Sequence, residues 1–225
     1  MKKAPVSTLI PFYFHRKLSR KFNFSFDFSF SPGDTYFSGK MLAKFARIIM
    51  ITKELIDICS PINGDVPSSC DEIEIPSEKI INDAIARLRR STEIWINGTA
   101  MTPFVYDRKW GGIASCGCHF NQAEQTCDNV FPECPSFDDP GLDFGHAFYN
   151  DHHFHQGYHI YAAAAVSYLD PEWGKTHFEH VLVMIRDIAK YVIIENMSLF
   201  IFYIAFIIRF VPVHLLKTVF FRRIE

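Results

Sequence analysis

The 225-residue sequence lacks a charge excess of either sign, since 23 Lys and Arg face 25 Asp and Glu for a formal net charge of −2. A nucleic-acid-binding surface needs a basic excess, so we expect no nucleic-acid partner. The sequence also lacks an apolar run of the ~20 residues that a membrane-spanning helix needs. Its longest run, residues 197–208, covers about a dozen residues. We therefore expect no membrane partner, with attachment through this run as the alternative.

We recognise no clear secretory signal at the N-terminus, because Lys2 and Lys3 are followed by a proline-interrupted stretch without a small-residue cleavage site. Asn97-Gly98-Thr99 is nevertheless an N-glycosylation acceptor sequence. The cysteines are even in number and lie in loop-like stretches, as disulfides of an oxidising compartment do. We expect an extracellular or cell-wall location, with a cytoplasmic location as the alternative. The six cysteines are Cys59, Cys70, Cys116, Cys118, Cys127 and Cys134.

Helical periodicity begins only after an irregular or strand-like N-terminal segment. From Ser38 to about Ile58, apolar residues recur on one helical face. A second helix is predicted from Pro76-Ser77 onward, and the pair Asn97-Gly98 is typical of its C-terminal cap. The residues predicted to face inward are Leu42, Phe45, Ile48, Ile49 and Leu55 in the first helix, and Ile80, Ile81, Ala84, Leu88, Ile94 and Trp95 in the second.

Two further helices are predicted after a long segment without clear period, residues 98–150, which we interpret as a loop that builds a site. The third helix runs from about Asp151 to Leu169, and its small-residue run from Ala162 to Ala165 allows a neighbouring helix to pack closely. Asp170-Pro171 is a typical start of the fourth helix. This pattern predicts a mainly α fold. The fourth helix is expected to bury Phe178, Val181, Leu182, Ile185 and Ile188.

Side chains that can carry chemistry concentrate at the start of the third helix. A carboxyl, two imidazoles and a phenol share one helical face there and could project together into a cleft: Asp151, His155, Tyr158 and His159. Two other interpretations stay open. Asp151 can simply cap the helix, with the histidines solvated or packed. Alternatively, a metal can be bound by His152, His153 and His155.

Two motifs in the long loop also have two interpretations each. The stretch from Tyr106 to Gly112 places two aromatics and a carboxylate beside a double glycine, which suits a sugar platform or core aromatics. The group Cys116-Gly117-Cys118-His119, with two later cysteines, has zinc-ligating residue types. Its C-x-C spacing differs from the common C-x-x-C knuckle, so disulfides or free thiols are favoured over zinc.

Six blocks, in this order along the chain, resemble glycoside hydrolase family 81, the endo-1,3-β-glucanases. The resemblance spans roughly Asp34 to Ala189. Its most specific part is the D-H-H-F-H block. The blocks are Asp34-Thr35-Tyr36-Phe37-Ser38-Gly39-Lys40, Tyr106-Asp107 through Trp110-Gly111-Gly112, Asp143-Phe144-Gly145, Tyr149-Asn150-Asp151-His152-His153-Phe154-His155, Asp170-Pro171-Glu172-Trp173-Gly174 and Arg186-Asp187-Ile188-Ala189.

This resemblance implies an inverting endo-hydrolase of β-1,3-glucan that uses no cofactor and no metal. Its catalytic domain is an (α/α)6 toroid, of which the four helices are the opening part, so this chain holds an incomplete toroid. Asp151 corresponds to the general acid, and His155 lies in the active site. The residues expected to contact glucan are Tyr106, Asp107, Trp110, His153 and Tyr158.

Departures from the family pattern concern both the cleft and the catalytic base. Gln156 replaces the usual tyrosine and His146 the usual asparagine. The family's general-base glutamate lies downstream of the R-D-I-A block, where only Glu195 and Glu225 remain, in unmatched surroundings. We therefore expect the general base to be missing and hydrolysis by this chain to be incomplete. The alternative is a non-catalytic β-1,3-glucan-binding fragment or a membrane-attached pseudoenzyme.

The same comparison suggests three segments. Residues 1–33 form an irregular or strand-like N-terminal segment, residues 34–190 a partial glucanase catalytic domain, and residues 191–225 an apolar tail without family resemblance.

Overall fold

The structure is a computed structural model that describes residues 34–61, 70, 75–124, 126–129 and 131–189. The segments 1–33 and 191–225, with their expected strand and apolar tail, lie outside these residues. The described part contains the α-helices α1 (Thr35–Cys59), α2 (Glu78–Ile96), α3 (His152–Leu169) and α4 (Pro171–Ile188). The prediction of a mainly α fold is confirmed.

The segment between α2 and α3 holds short elements. Strand β1 (Phe104–Asp107) pairs antiparallel with β2 (Gly112–Ser115), and β3 (Phe120–Asn121) pairs antiparallel with β4 (Thr126–Cys127). Two 3-10 helices follow, Pro135–Phe137 and Leu142–Phe148. Two-residue and four-residue strands are too short for a period to be visible in the sequence.

Capping residues fix the helix ends. The fourth helix begins as predicted, since Asp170 accepts a hydrogen bond from the Trp173 amide at 3.1 Å and Pro171 is its first residue. The second ends as predicted at Asn97, followed by Gly98 with φ +65°. The start of α1 at Ser38 is wrong by three residues, because the Asp34 carboxylate accepts from the Phe37 amide at 2.6 Å and starts the helix earlier.

Helix α3 lies at the centre and packs against α1, α2 and α4. Its alanines 162–165 are buried. Gly39 of α1 comes so close to it that a Cβ there would lie 2.7 Å from His159 Nε2. The main buried side chains of this core are Leu42, Phe45, Ile49, Leu88, Trp95, Ile160, Val166, Trp173, Val181 and Ile185.

Some residues predicted to be buried lie at the edge of the core. Ile80 is 40% exposed and Ile94 is 43% exposed, so their assignment to the buried face is wrong. Each precedes a buried residue, Ile81 or Trp95, and one residue turns a helix by about 100°. Five others are only half-buried: Ile48, Leu55, Phe178, Leu182 and Ile188.

All six cysteines are paired in disulfides, which confirms that interpretation. Cys59 bonds to Cys70 beyond the end of α1. The other bonds hold the segment after β2 together, joining Cys116 to Cys134 and Cys118 to Cys127. The zinc interpretation is wrong, because these sulfurs are bonded to each other.

Within the described ranges, no helix has both the length and the apolar character to cross a bilayer. The apolar run at residues 197–208 lies outside these ranges.

Candidate active site

Asp151 has an exposed side chain at the first turn of α3. Its backbone adopts the left-handed conformation, with φ 52° and ψ 28°, which is uncommon for a non-glycine residue and is concentrated at functional sites. The side chain makes no capping hydrogen bond. The Asp151 carbonyl instead accepts from the amides of Phe154 at 2.9 Å and His155 at 3.2 Å. The interpretation of this carboxyl as a helix cap is therefore wrong, and the group is open to solvent.

Asn150 ties this carboxyl to the preceding loop. Its Nδ2 donates to the Phe144 carbonyl at 3.0 Å and to Asp151 Oδ2 at 3.3 Å. Asp143, Phe144 and Gly145 have consecutive positive φ angles of 43°, 57° and 76°. Left-handed backbone at non-glycine residues costs free energy, so the surrounding contacts must hold this turn in place.

Asp143 is the buried anchor of that turn. Its Oδ1 accepts from the Thr35 amide and its Oδ2 from the Thr35 hydroxyl, both at 2.8 Å. The same hydroxyl oxygen lies 2.6 Å from His155 Nδ1. Burial raises the pKa of Asp143 to about 6, while the neighbouring Ser115 hydroxyl and the hydrogen bonds from Thr35 act to lower it. The carboxylate is thus held by the first residue of α1.

The imidazoles of His155 and His159 face inward. Both are buried, so the expectation that they project with Asp151 into an open cleft is wrong. The face of α3 that carries them is covered by the N-terminus of α1, where the Thr35 carbonyl lies 3.0 Å from His159 Nε2. Burial lowers the pKa of each imidazole to about 4, and both rings are neutral near pH 7.

His152 fastens α3 to α4. Its Nδ1 lies 2.6 Å from Asp187 Oδ2, and its Nε2 lies 2.9 Å from the His146 carbonyl. Burial alone would raise the pKa of Asp187, but hydrogen bonds from His152, the Ile113 amide and Gln156 outweigh it and lower the pKa. Because His152 and His155 are both engaged, their ring nitrogens do not converge with His153 on a metal. No group of metal-ligating side chains is arranged for a metal among the residues the structure describes.

The β1–β2 hairpin presents two aromatic rings to solvent. Asp107 shapes its turn, because Oδ1 accepts from the amides of Lys109 at 2.8 Å and Trp110 at 3.3 Å. Its Oδ2 accepts from the Tyr149 hydroxyl at 3.3 Å. Trp110 is 72% exposed and Tyr106 is 59% exposed, so the interpretation of these rings as core aromatics is wrong.

Tyr149 connects this hairpin to the start of α3. Its ring stacks on His152 with centroids 4.9 Å apart. A Cβ on Gly112 would lie 2.5 Å from Tyr149 Cε1 and 2.6 Å from Asp187 Oδ1, so only glycine fits there without displacement. His153, the remaining predicted glucan contact, is half-buried beside Phe154, with ring centroids 4.3 Å apart.

A second aromatic group surrounds Tyr36, which was not predicted to be a site residue, unlike its neighbours His155 and Tyr158. The Tyr36 ring contacts the rings of His155 at 5.4 Å, Tyr158 at 5.7 Å and Phe144 at 5.6 Å. Burial raises the pKa of Tyr158 to about 12, with a further contribution from its hydrogen bond to Tyr36. Tyr36 belongs to the first of the resembling blocks, which was the available signal for it.

The two departures from the family pattern are both buried and are not exposed cleft contacts. Gln156 donates to Asp187 Oδ2 at 2.8 Å. The His146 ring stacks on His152 with centroids 4.1 Å apart, and burial lowers its pKa to about 2.

Comparison with known proteins agrees with the resemblance. The family model described as the glycosyl hydrolase family 81 C-terminal domain matches residues 15–206, a range that extends beyond 34–190 on both sides. A glucan endo-1,3-beta-D-glucosidase of Arthroderma benhamiae is 32% identical over 152 residues, which is 68% of this chain and 13% of that protein. One of Glycine max is 31% identical over 160 residues, 71% of this chain and 18% of the relative.

A primary septum glucan endo-1,3-beta-D-glucosidase of Schizosaccharomyces pombe is 29% identical over 157 residues, 69% of this chain and 12% of the relative. The chain thus spans between 12% and 18% of the length of these three relatives. The family model covers most of the sequence, from residue 15 to residue 206 of 225. The chain therefore belongs to glycoside hydrolase family 81.

Proposed function

We propose that this chain contributes the acid side of an active site that hydrolyses internal 1,3-β-D-glucosidic linkages, with Asp151 as the proton donor. The observation that carries the proposal is the exposed Asp151 carboxyl, which lies at the start of a helix yet makes no capping hydrogen bond. It belongs to the block most similar to family 81. The names of the relatives, glucan endo-1,3-beta-D-glucosidases, support the linkage.

In an inverting mechanism, the acid protonates the departing glycosidic oxygen while a second carboxylate activates a water on the opposite face of the sugar. The two carboxyls then lie ~6.5–9.5 Å apart. We assign the acid to Asp151 and assign the base to none of the described residues. His155 lies one helical turn after Asp151. The negative charge of Asp151 acts to raise the pKa of His155, against the larger effect of burial. We infer that the buried His155 ring acts on the catalytic acid Asp151 and does not itself contact the sugar.

For substrate binding we propose two aromatic walls. Trp110 and Tyr106 form the exposed one, with Asp107 fixing the turn between them. Pyranose rings have an apolar C–H face that packs on such rings, and polar neighbours bind the hydroxyls. Tyr158 lies in the other wall, beside Tyr36. We also assign glucan contact to His153, which is half-buried on the first turn of α3.

We further infer that α1 to α4 belong to an (α/α)6 toroid whose other helices these residues do not include. Residues 34–190 then belong to its catalytic domain. The three disulfides support an oxidising, extracellular or cell-wall setting for it.

The test is incubation of the purified chain with laminarin, with and without sodium azide as an external nucleophile in place of the base. New reducing ends measure hydrolysis by water, whereas cleavage by azide forms no new reducing end and is measured as the α-linked glycosyl azide that inversion yields. We expect product that depends on azide and is lost in Asp151→Asn. Product that survives Asp151→Asn unchanged contradicts the assignment of the acid.

A non-catalytic glucan-binding role is the second candidate, favoured by the exposure of Trp110 and Tyr106. It is distinguished by retention on insoluble β-1,3-glucan without product under either condition.

A further inference from the structure

The amide, the hydroxyl and the carbonyl of Thr35 each lie within hydrogen-bond distance of a residue distant in sequence. Its amide and hydroxyl meet Asp143, its carbonyl lies near His159, and its hydroxyl oxygen also lies 2.6 Å from His155 Nδ1. A threonine hydroxyl has a single proton. When that proton is donated to the Asp143 carboxylate, the contact with His155 must be a hydrogen bond donated by Nδ1–H.

The direction of this chain reverses when Asp143 takes up a proton. The protonated carboxyl donates from Oδ2 to the Thr35 oxygen, the hydroxyl then donates to His155 Nδ1, and the imidazole proton resides on Nε2. Counted over the three groups, the ionised arrangement holds two mobile protons and the protonated arrangement holds three. The extra proton enters or leaves through solvent, and no heavy atom has to move.

We propose that Thr35 and Asp143 are positioning residues that set the tautomer of His155, so that its Nε2 is a hydrogen-bond acceptor while Asp143 is ionised and a donor once Asp143 is protonated. Because Thr35 contacts the ring through Nδ1, Nε2 on the other edge of the ring takes the complementary role. His155 lies four residues after Asp151, so the state of Nε2 determines what the ring offers to the acid. This consequence for catalysis rests on the proposed function.

Burial favours a switch of this kind near neutral pH. Desolvation raises the pKa of Asp143 to about 6, whereas the pKa of His155 is lowered to about 4, so Asp143 takes up its proton before the imidazole does. The groups that act on Asp143 are Thr35, Ser115 and the charge of Asp34. Those that face His155 are Thr35, Asp143, Asp151, His152, His153, His146, His159, Tyr36 and Phe144.

The experiment is a pH titration of the 15N-histidine-labelled full chain by long-range 1H–15N NMR, in the absence of glucan. His155 is assigned from the resonances lost in His155→Gln. We expect the Nδ1–H tautomer at pH 7.5 and the Nε2–H tautomer at pH 5, with a midpoint near 6. An Nε2–H tautomer at pH 7.5, or one tautomer throughout, overturns the proposal without any variant of Thr35 or Asp143.

Variants test the connection itself. Thr35→Val removes the hydroxyl at nearly constant shape and is expected to abolish the interconversion, whereas Thr35→Ser restores it. Asp143→Asn donates permanently to the Thr35 oxygen and is expected to hold His155 as Nε2–H at every pH. The matched control is Thr92→Val, which removes a buried hydroxyl that donates within its own helix to the Leu88 carbonyl at 2.8 Å. Interconversion that persists in Thr35→Val contradicts the proposal.

The hydrolysis assay separates this inference from the proposed function. If His155 shows the expected tautomers at pH 7.5 and pH 5 but no azide-dependent product forms, the positioning by Thr35 and Asp143 stands and the proposed catalytic function is contradicted. Azide-dependent product together with a His155 tautomer that does not change with pH supports the proposed function. It contradicts the role of Thr35 and Asp143 as positioning residues.

Discussion

The Thr35 amide and hydroxyl both donate to the Asp143 carboxylate at 2.8 Å, across 108 residues of sequence. This pair joins the first turn of α1 to the strained turn that precedes α3. Asn150 continues the connection from that turn to Asp151. The exposed Asp151 carboxyl is therefore linked, through Asn150 and this turn, to the buried contacts of the first residue of α1.

Acid should destabilise the fold because His146, His155 and His159 are buried and neutral. Burial lowers their pKa values to about 2, 4 and 4. Below the unfolded value of about 6.5, the unfolded chain binds protons that the folded chain does not, at a cost of about 2 kcal/mol per imidazole by pH 5. We expect the Tm at pH 5 to lie on the order of 10 °C below that at pH 7.

Asp143 acts in the opposite direction in that experiment. Its folded pKa is raised to about 6, so its contribution to stability is fully present below about 3.8 and is lost as the pH rises through 6. One carboxyl offsets only part of the effect of three imidazoles. The control is His180→Gln, an exposed histidine of α4, which should leave the profile unchanged. A Tm that rises on acidification to pH 5 contradicts this account.

Two glycines should respond oppositely to alanine. In Gly112→Ala, the new methyl group meets Tyr149 and Asp187, and we expect a loss of ~1–3 kcal/mol from overpacking. In Gly157→Ala, on α3, no atom lies within 4 Å of the new Cβ. Because alanine favours helix over glycine, we expect a gain of ~0.5–1 kcal/mol. Urea denaturation of both variants measures the difference, and equal effects would show that Tyr149 is not held against Gly112.

Trp110 should contribute to glucan binding without contributing to folding. Because the ring is exposed, Trp110→Ala should change stability by less than ~0.5 kcal/mol. Loss of a ring contact worth ~0.5–1.5 kcal/mol should weaken retention on insoluble β-1,3-glucan about threefold to tenfold. The control is Tyr168→Ala, an exposed aromatic at the far end of α3, about 25 Å from Asp151 by helix rise. Equal retention of both variants argues against the hairpin as a sugar platform.

Local signals were sufficient for much of the helical framework. The junction at Asp170-Pro171 and the cap at Asn97-Gly98 depend on neighbouring residues only, and both were predicted. The first turn of α1 was missed because Asp34, not apolar periodicity, begins it. The exposure of Ile80 and Ile94 was missed because the width of a buried face depends on the neighbouring helices.

The sequence allowed the residues of the candidate site to be selected, but it did not allow their spatial arrangement to be predicted. Asp151 and His155 could be selected through the family blocks, but nothing local shows that α1 covers His155 and leaves Asp151 exposed. Asp187 was part of a recognised block, yet its bond to His152 joins two helices at a separation of 35 residues. Contacts of this kind depend on packing, which periodicity does not specify.

The assignment of the acid is tested most directly by how the loss of activity in Asp151→Asn depends on the leaving group of the substrate. The unmodified chain and the Asp151→Asn variant are each assayed with azide on two substrates, laminarin and 2,4-dinitrophenyl β-laminaribioside. The dinitrophenolate leaving group of the second substrate needs no protonation. We predict a loss of ~10²–10⁴-fold on laminarin, the usual contribution of a general acid, and little loss on the aryl glycoside. An equal loss on both substrates, or no loss on laminarin, contradicts the role of Asp151 as the proton donor.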